Sequence, residues 1–267
     1  MDTLKLGAEG RDVERLQKRL RKLGFPPGNI DGDFGSGTEA AVIAFQRSRS
    51  LLADGVAGPR TLKALGLVDD DSLPTVIPGV TSQVVSRLFP STPIGNIKAN
   101  LPPTLAGLEA FGLVDRSMVL MALATIRAET ESFEPVAEYR SRFNTSPNGH
   151  PFDLYDKRRD IGNRGRPDGE RYRGRGYVQL TGRANYERYG RLLGVKLADR
   201  PELASQPDIA GRILAAFLKD KERVIKEALL ENDLRAARRA VNGGSHGLDR
   251  FSDTYLRGLE LIPMNIG

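Results

Sequence analysis

The sequence predicts an all-α protein with a small helical domain followed by a larger one. Apolar residues recur at helical spacing through most of the chain, while strand-like alternation is scarce. The 267 residues, 39% apolar and 28% charged, suit a globular chain with two domains of ordinary size. Residues 68–80, Val-Asp-Asp-Asp-Ser-Leu-Pro-Thr-Val-Ile-Pro-Gly-Val, are acidic and proline-containing and follow neither period. They read as a linker between domains at 1–67 and 81–267.

In the first domain Val13, Leu16, Leu20 and Leu23 mark one face of a helix, with Gln17, Lys18, Arg19 and Arg21 elsewhere on it. A weak duplication follows. Asp31-Gly32-Asp33-Phe34-Gly35-Ser36-Gly37-Thr38 is echoed by Asp54-Gly55-Val56-Ala57-Gly58-Pro59-Arg60-Thr61. Each copy supplies a glycine turn, a Thr expected as helix N-cap, and an apolar helix: Ala40, Val42, Ile43 and Phe45 in one, Leu62 and Leu65 in the other. Three short helices around one core are expected, a unit only just large enough to stabilise itself.

The larger domain reads as helical at 118–129, at 207–230 with an apolar face at Ile213, Leu214, Phe217 and Leu218, and at 233–241. Glycine-rich connections such as 162–176 interrupt it, so long functional loops are expected. The longest nearly apolar stretch, 118–126, is far shorter than the roughly 20 residues of a membrane span and reads as a buried helix. No stable membrane insertion is expected. The first residues show no basic segment followed by an apolar one, so synthesis in the cytoplasm without a secretion signal is the expectation.

Net charge is +6, distributed as +3 in residues 1–67, −3 in the linker and +6 beyond it. That balance favours anionic partners. Nucleic acid is not expected among them: Trp is absent, no helix carries a concentrated basic run, and base-reading aromatics do not cluster.

The chain has no Cys and no Gly-x-Ser-x-Gly elbow, and its two histidines, His150 and His246, lie far apart without a ligand motif. Neither a covalent triad nor a metal site is expected, and no cofactor. Carboxylate chemistry remains. An apolar helix ends at Glu129, where the negative end of the helix dipole and apolar neighbours both disfavour the ionised form and should raise its pKa. A raised carboxyl suits a general acid. Gln179 and Asn185 offer both donors and acceptors to sugar hydroxyl and acetamido groups. Tyr172 and Tyr177 suit either stacking on a sugar or filling the core.

Two resemblances sharpen this. Gly10-x-x-Val13-x-x-Leu16-Gln17-x-x-Leu20, Asp31-Gly32-x-Phe34-Gly35-x-x-Thr38 and Ala44-Phe45-Gln46 resemble the peptidoglycan-binding domain type 1 family. That implies a three-helix module gripping the bacterial wall, with Asp31, Gly32, Phe34 and Gly35 in its signature. Ala128-Glu129-Thr130-x-Ser132-Phe133, Glu138, the block from Tyr172-Arg173-Gly174-Arg175-Gly176-Tyr177 to Asn185-Tyr186, Val241-Asn242-Gly243-Gly244 and Asp249-Arg250 resemble glycoside hydrolase family 19. This family comprises chitinases and related phage wall hydrolases, with a lysozyme-like, mainly helical fold around a long cleft.

The second resemblance implies Glu129 as general acid and Glu138 as general base, with inversion and no metal, and Asn242 and Arg250 lining the cleft. Glu131 and Glu134 align with no family carboxylate. Ala128 stands where many relatives have His, no water-positioning Ser or Thr aligns, and residues 144–171 form an insertion able to reshape the cleft. Together the two resemblances imply a monomeric phage endolysin acting on peptidoglycan, made in the host cytoplasm and dependent on a separate holin-type pore. A chitinase and a non-catalytic wall-binding protein are the alternatives.

Overall fold

The computed structural model describes residues 1–69, 74–244 and 247–263. The chain divides into two compact units, Met1–Pro74 and Thr75–Ile266. Among the described residues both are helical, and pairing between extended segments is confined to isolated bridges.

The first unit has three helices, α1 (Arg11–Lys22), α2 (Ser36–Ser48) and α3 (Pro59–Ala64). Val13, Leu16, Leu20, Phe34, Val42, Phe45, Leu62 and Leu65 close its core. Leu4 and Ala57 exchange backbone hydrogen bonds (3.1 and 2.8 Å), tying the N-terminus to the second turn. The duplication is realised as two matching hydrogen-bond nodes, each built on a buried glutamine. Gln17 Nε2 donates to Asp31 Oδ1 (2.8 Å), Asp33 O (3.0 Å) and Thr38 Oγ1 (3.1 Å), while its Oε1 accepts from Gly32 N (3.0 Å). Gln46 repeats this with Asp54 Oδ1 (2.9 Å), Val56 O (2.9 Å), Thr61 Oγ1 (3.1 Å) and Gly55 N (3.0 Å).

Thr38 and Thr61 are therefore not N-caps. The caps are Gly35 and Gly58, and the threonine hydroxyls are turned inward to the glutamines. The signature residues are likewise structural: Phe34 is core and Asp31 closes the turn on Gln17. Gly32 sits so close beneath Gly10 that a Cβ would lie 3.3 Å from its carbonyl oxygen, and Gly35 caps α2. Replacing Gln46 by Leu deprives Gly55 N–H, Val56 C=O, Asp54 and Thr61 of one partner each. The expected cost is about 3 kcal/mol, since a buried group left without its partner costs roughly 1–3 kcal/mol. Urea unfolding of the full chain measures it; an unmoved first-unit transition would show that the node contributes nothing.

The second unit contains α4 (Ser82–Leu88), α5 (Ile94–Ala110), α6 (Arg116–Thr130), α7 (Asp153–Asp156), α8 (Asp168–Arg171), α9 (Arg183–Leu193), α10 (Pro207–Leu230), α11 (Leu234–Asn242) and α12 (Leu248–Leu261). Helix α6 is the axis of the core. Asp115 caps it by accepting from Met118 N (3.1 Å), and every residue from 118 to 128 is buried. Helices α10 and α12 pack on it, and α5 lies along α10. Gly107 and Gly211 permit that approach, since a Cβ on Gly107 would stand 2.6 Å from the Gly211 backbone. No described helix is long and apolar enough to cross a membrane.

The linker expected at 68–80 extends too far. Residues 70–73 lie outside the described residues, but Val76 and Val80 are buried in the core of the second unit, and Val76 N donates to Val114 O (3.0 Å). A second cluster of Tyr172, Leu180, Tyr186, Tyr189, Leu193 and Ile213 underlies the glycine-rich loop.

Candidate active site

Glu129 stands in the last turn of α6, placed there by the burial of the preceding residues. It borders a cavity of about 370 Å³ together with Thr125, Val178, Gln179, Phe217, Val241 and Asn242, a volume within the range of small-ligand pockets. Its side chain retains 20% exposure. The helix end and apolar neighbours expected from the sequence are not all that surrounds it. Arg238, fully buried on α11 and stacked over the Phe251 ring at 5.6 Å, donates from Nη2 to Glu129 Oε1 at 2.6 Å. Arg127, two residues before it, is turned away to Asp253 and Thr254 on α12.

Immediately after α6 the backbone reverses through positive φ at Glu131 (42°) and Phe133 (56°), conformations that are strained for residues with a Cβ. Packing holds the reversal. Phe133 is buried edge-on against Phe89 (centroids 4.8 Å apart), Asn96 Nδ2 donates to Ser132 O (3.1 Å), and Thr92 donates to Glu131 O. The chain then runs as a short ribbon beside the glycine-rich loop. Gly176 N donates to Val136 O (3.0 Å) and Glu138 N to Gly174 O (2.8 Å).

That ribbon presents Glu138 to three donors. Asn144 Nδ2 and Tyr155 Oη each donate to Oε1 at 2.9 Å, and Gly174 N to Oε2 at 3.2 Å. An ionised carboxylate is acceptor-only, and donors are what meet this one. Burial, then the hydrogen bond to Glu138 and its charge, push the Tyr155 phenol up to about 12. The phenol therefore remains a donor through the neutral range.

Gln179 links the two carboxylates' surroundings. It lines the Glu129 cavity, and its Nε2 ties the ribbon to the loop by donating to Val136 O (3.1 Å) and Gly176 O (3.0 Å). A Cβ on Gly174 would fall 2.7 Å from Gln179 Oε1, 3.2 Å from Glu138 Oε2 and 3.3 Å from Thr181 Oγ1. Only glycine leaves those three oxygens their places. Gln179 itself adopts φ 47°, a further strained position beside the cavity.

Other sequence-derived candidates fare differently. Asn242 is exposed at the end of α11 and lines the cavity. Arg250 is bonded to Glu131 (2.7 Å), both half-exposed, rather than turned to the cavity. Asn185 spends its amide on Thr181 O (2.7 Å), fixing the turn into α9. Tyr172 and Tyr177, 2% and 0% exposed, are core residues and not stacking platforms. Tyr172 packs on Tyr186 and under the Arg183 guanidinium at 4.7 Å, and Tyr177 packs on Phe133. Glu134 is exposed. His150 pairs with Asp156 (2.9 Å), and His246 lies outside the described residues.

Arg238, Asn144 and Tyr155 were not among the expected site residues. The 144–171 stretch, read as an insertion that reshapes the cleft, is also the support of Glu138. Buried Asn163 donates to Tyr155 O (2.8 Å) and accepts from Arg183 N (2.9 Å). Burial alone would raise the Asp168 carboxyl, but hydrogen bonds from Arg183 and from Arg164 N–H outweigh it and hold it below its usual range.

One carboxylate ends a helix and a second sits on the ribbon, each with a separate set of partners, and a pair of carboxylates is what two-carboxylate hydrolysis uses. The fold has a solved relative. A bacterial family 19 chitinase superimposes with a TM-score of 0.52 at 20% identity, covering 71% of this chain and 98% of that one. Residues 9–65 match the family model described as "Putative peptidoglycan binding domain". An N-acetylmuramoyl-L-alanine amidase of Mycobacterium tuberculosis is 50% identical over 56 residues, 21% of this chain and 14% of that protein. A spore cortex-lytic enzyme of Bacillus cereus is 48% identical over 59 residues, 22% of this chain and 23% of that protein. The chain thus spans less than a quarter of the length of these two relatives.

Proposed function

We propose that this chain is a peptidoglycan hydrolase of the endolysin type, in which the first unit anchors to the wall and the second cuts the glycan. Glu129 protonates the departing glycosidic oxygen, and Glu138 activates a water for attack from the opposite face, inverting the anomeric carbon. That route asks for carboxylates roughly 6.5–9.5 Å apart. The observation carrying the reading is the contrast between the two acids: Glu129 at a cavity beside one buried cation, Glu138 on a ribbon and met by three neutral donors. Thr181 Oγ1, close to the same Gly174 position as Glu138 Oε2, is the candidate to orient the water. The wall as target is supported by the family match at 9–65 and by wall-lytic relatives. In this setting the protein acts alone as a monomer and reaches the wall through a holin-type pore.

The fold likeness to a chitinase supports a second substrate, an N-acetylglucosamine polymer. Digestion of purified peptidoglycan and of chitin oligomers, with reducing-end and mass analysis, separates the two. New reducing sugars from peptidoglycan are expected. Cleavage of chitin alone would move the substrate to the second reading, and released stem peptides without new reducing ends would overturn the glycosidase.

A further inference from the structure

The two most exposed large apolar side chains among the described residues are Tyr139 (80%) and Phe143 (76%), both just beyond Glu138. Exposed apolar surface rimmed by polar groups marks an interaction site where it gathers into a patch. Arg140 and Arg142 lie between them, also exposed, with the Arg142 guanidinium 4.9 Å from the Phe143 ring centroid. No acidic residue occurs from 139 to 152, and residues 139–175 carry 10 basic against 5 acidic side chains.

The segment is fixed to the site. Asn144, fully buried, donates both to Glu138 Oε1 (2.9 Å) and to Tyr139 O (2.8 Å), and its Oδ1 accepts from Ser141 N (2.8 Å) and Thr145 Oγ1 (2.9 Å). One side chain thus holds the candidate base and the exposed turn in a common frame. A cavity of about 440 Å³ opens among Arg140, Arg142, Thr145, Ser146 and Pro147.

The geometry points to residues 139–143 as a binding platform for a carboxylate-bearing glycan strand, with the two rings lying against sugar faces and the two guanidinium groups pairing with carboxylates. Arginine forks match carboxylates in shape as well as charge. A neutral N-acetylglucosamine polymer has no group for them to pair with, so the platform selects for peptidoglycan. This rests on the glycan-cutting reading of the second unit. The carboxylates are those of the stem peptides, or of lactyl groups where a stem has been removed, since a lactyl carboxyl that carries a stem is tied up in an amide.

The test measures binding of soluble peptidoglycan strands to the full chain in a Glu129→Gln background, which keeps the ligand intact. Three ligands are compared: native strands, strands stripped of stem peptides so that only lactyl carboxylates remain, and strands whose carboxyls have been amidated. R140S/R142S is expected to weaken native binding by about tenfold, on the order of what two exposed ion pairs supply, and to leave binding of amidated strands unchanged. A loss confined to native strands assigns the stems, and a loss retained on stripped strands shows that the lactyl carboxylates freed there are accepted as well. Y139A/F143A is expected to weaken all three by a similar factor. All four side chains are exposed, so melting temperatures should stay within about 2 °C of the parent. Equal affinity of every variant for native strands, or an arginine effect that persists on amidated strands, overturns the platform. Turnover of native strands by the unsubstituted chain is followed in parallel. No turnover with the binding pattern intact removes the hydrolase and keeps the platform; turnover with no difference among variants does the reverse.

Discussion

Glu129→Gln is expected to reduce release of reducing ends from peptidoglycan by about 10³-fold or more, within the range that general acid catalysis contributes, while wall binding is retained. The amide is nearly isosteric and keeps a carbonyl oxygen for Arg238, which donates at 2.6 Å to the native carboxylate. Truncation to Ala is a poorer probe, because it leaves the fully buried guanidinium facing the space its carboxylate filled. Breaking a buried pair from one side costs roughly 3–5 kcal/mol. Glu129→Ala should therefore lose stability as well as activity, whereas Glu129→Gln should lose activity with a far smaller fall in melting temperature. Steady-state rates and thermal melts of both variants check this. A Gln variant with near-native turnover would remove Glu129 from the chemistry and leave it a structural partner of Arg238.

The sequence was legible where local rules dominate. Helix α10 follows its apolar period from Pro207 to Leu230, and α6 is as buried as its composition implies. The duplicated turns were visible, but the role of the glutamines at their centres was not. Gln17 and Gln46 reach turns 14 and 8 residues ahead, and nothing in helical periodicity distinguishes a polar residue facing inward from one facing water. Arg238 illustrates the same limit at longer range. It sits in a run with Arg235 and Arg239, and only the packing of α11 onto the core selects it to meet Glu129, 109 residues earlier. Tyr172 and Tyr177 were open between core and cleft because aromatic residues serve both; burial decides for core. Asn144 and Tyr155 lay in a stretch whose Gly and Pro content speaks for irregular backbone and is silent about which polar group turns to Glu138.

Glu138→Gln is expected to cost about 10²–10³ in turnover, the lower part of the range for a general base, and the loss has two sources. The first is chemical, since an amide cannot take the proton from water. The second is positional. With its carbonyl oxygen toward Asn144 and Tyr155, the substituted amide sets its own N–H groups against Gly174 N–H, which donates to Oε2 in the native site. Reversing the amide moves the clash to the Asn144 amide, since only the Tyr155 hydroxyl can turn to accept. Tyr155→Phe separates these sources, because it removes one donor and keeps the carboxylate; about a tenfold loss is expected, the worth of one hydrogen bond to a charged group. The pH dependence gives the sharper check. With the phenol pushed up to about 12, Tyr155 stays protonated at every pH where the fold is used, so it supplies no alkaline limb to the rate profile. Any such limb below about pH 10, well under the shifted phenol, should survive in Tyr155→Phe at reduced height. A limb that vanished in that variant would assign the titration to the phenol, meaning that its ionisation, and with it the loss of the hydrogen bond to Glu138, falls far below the position its burial and the Glu138 charge give it.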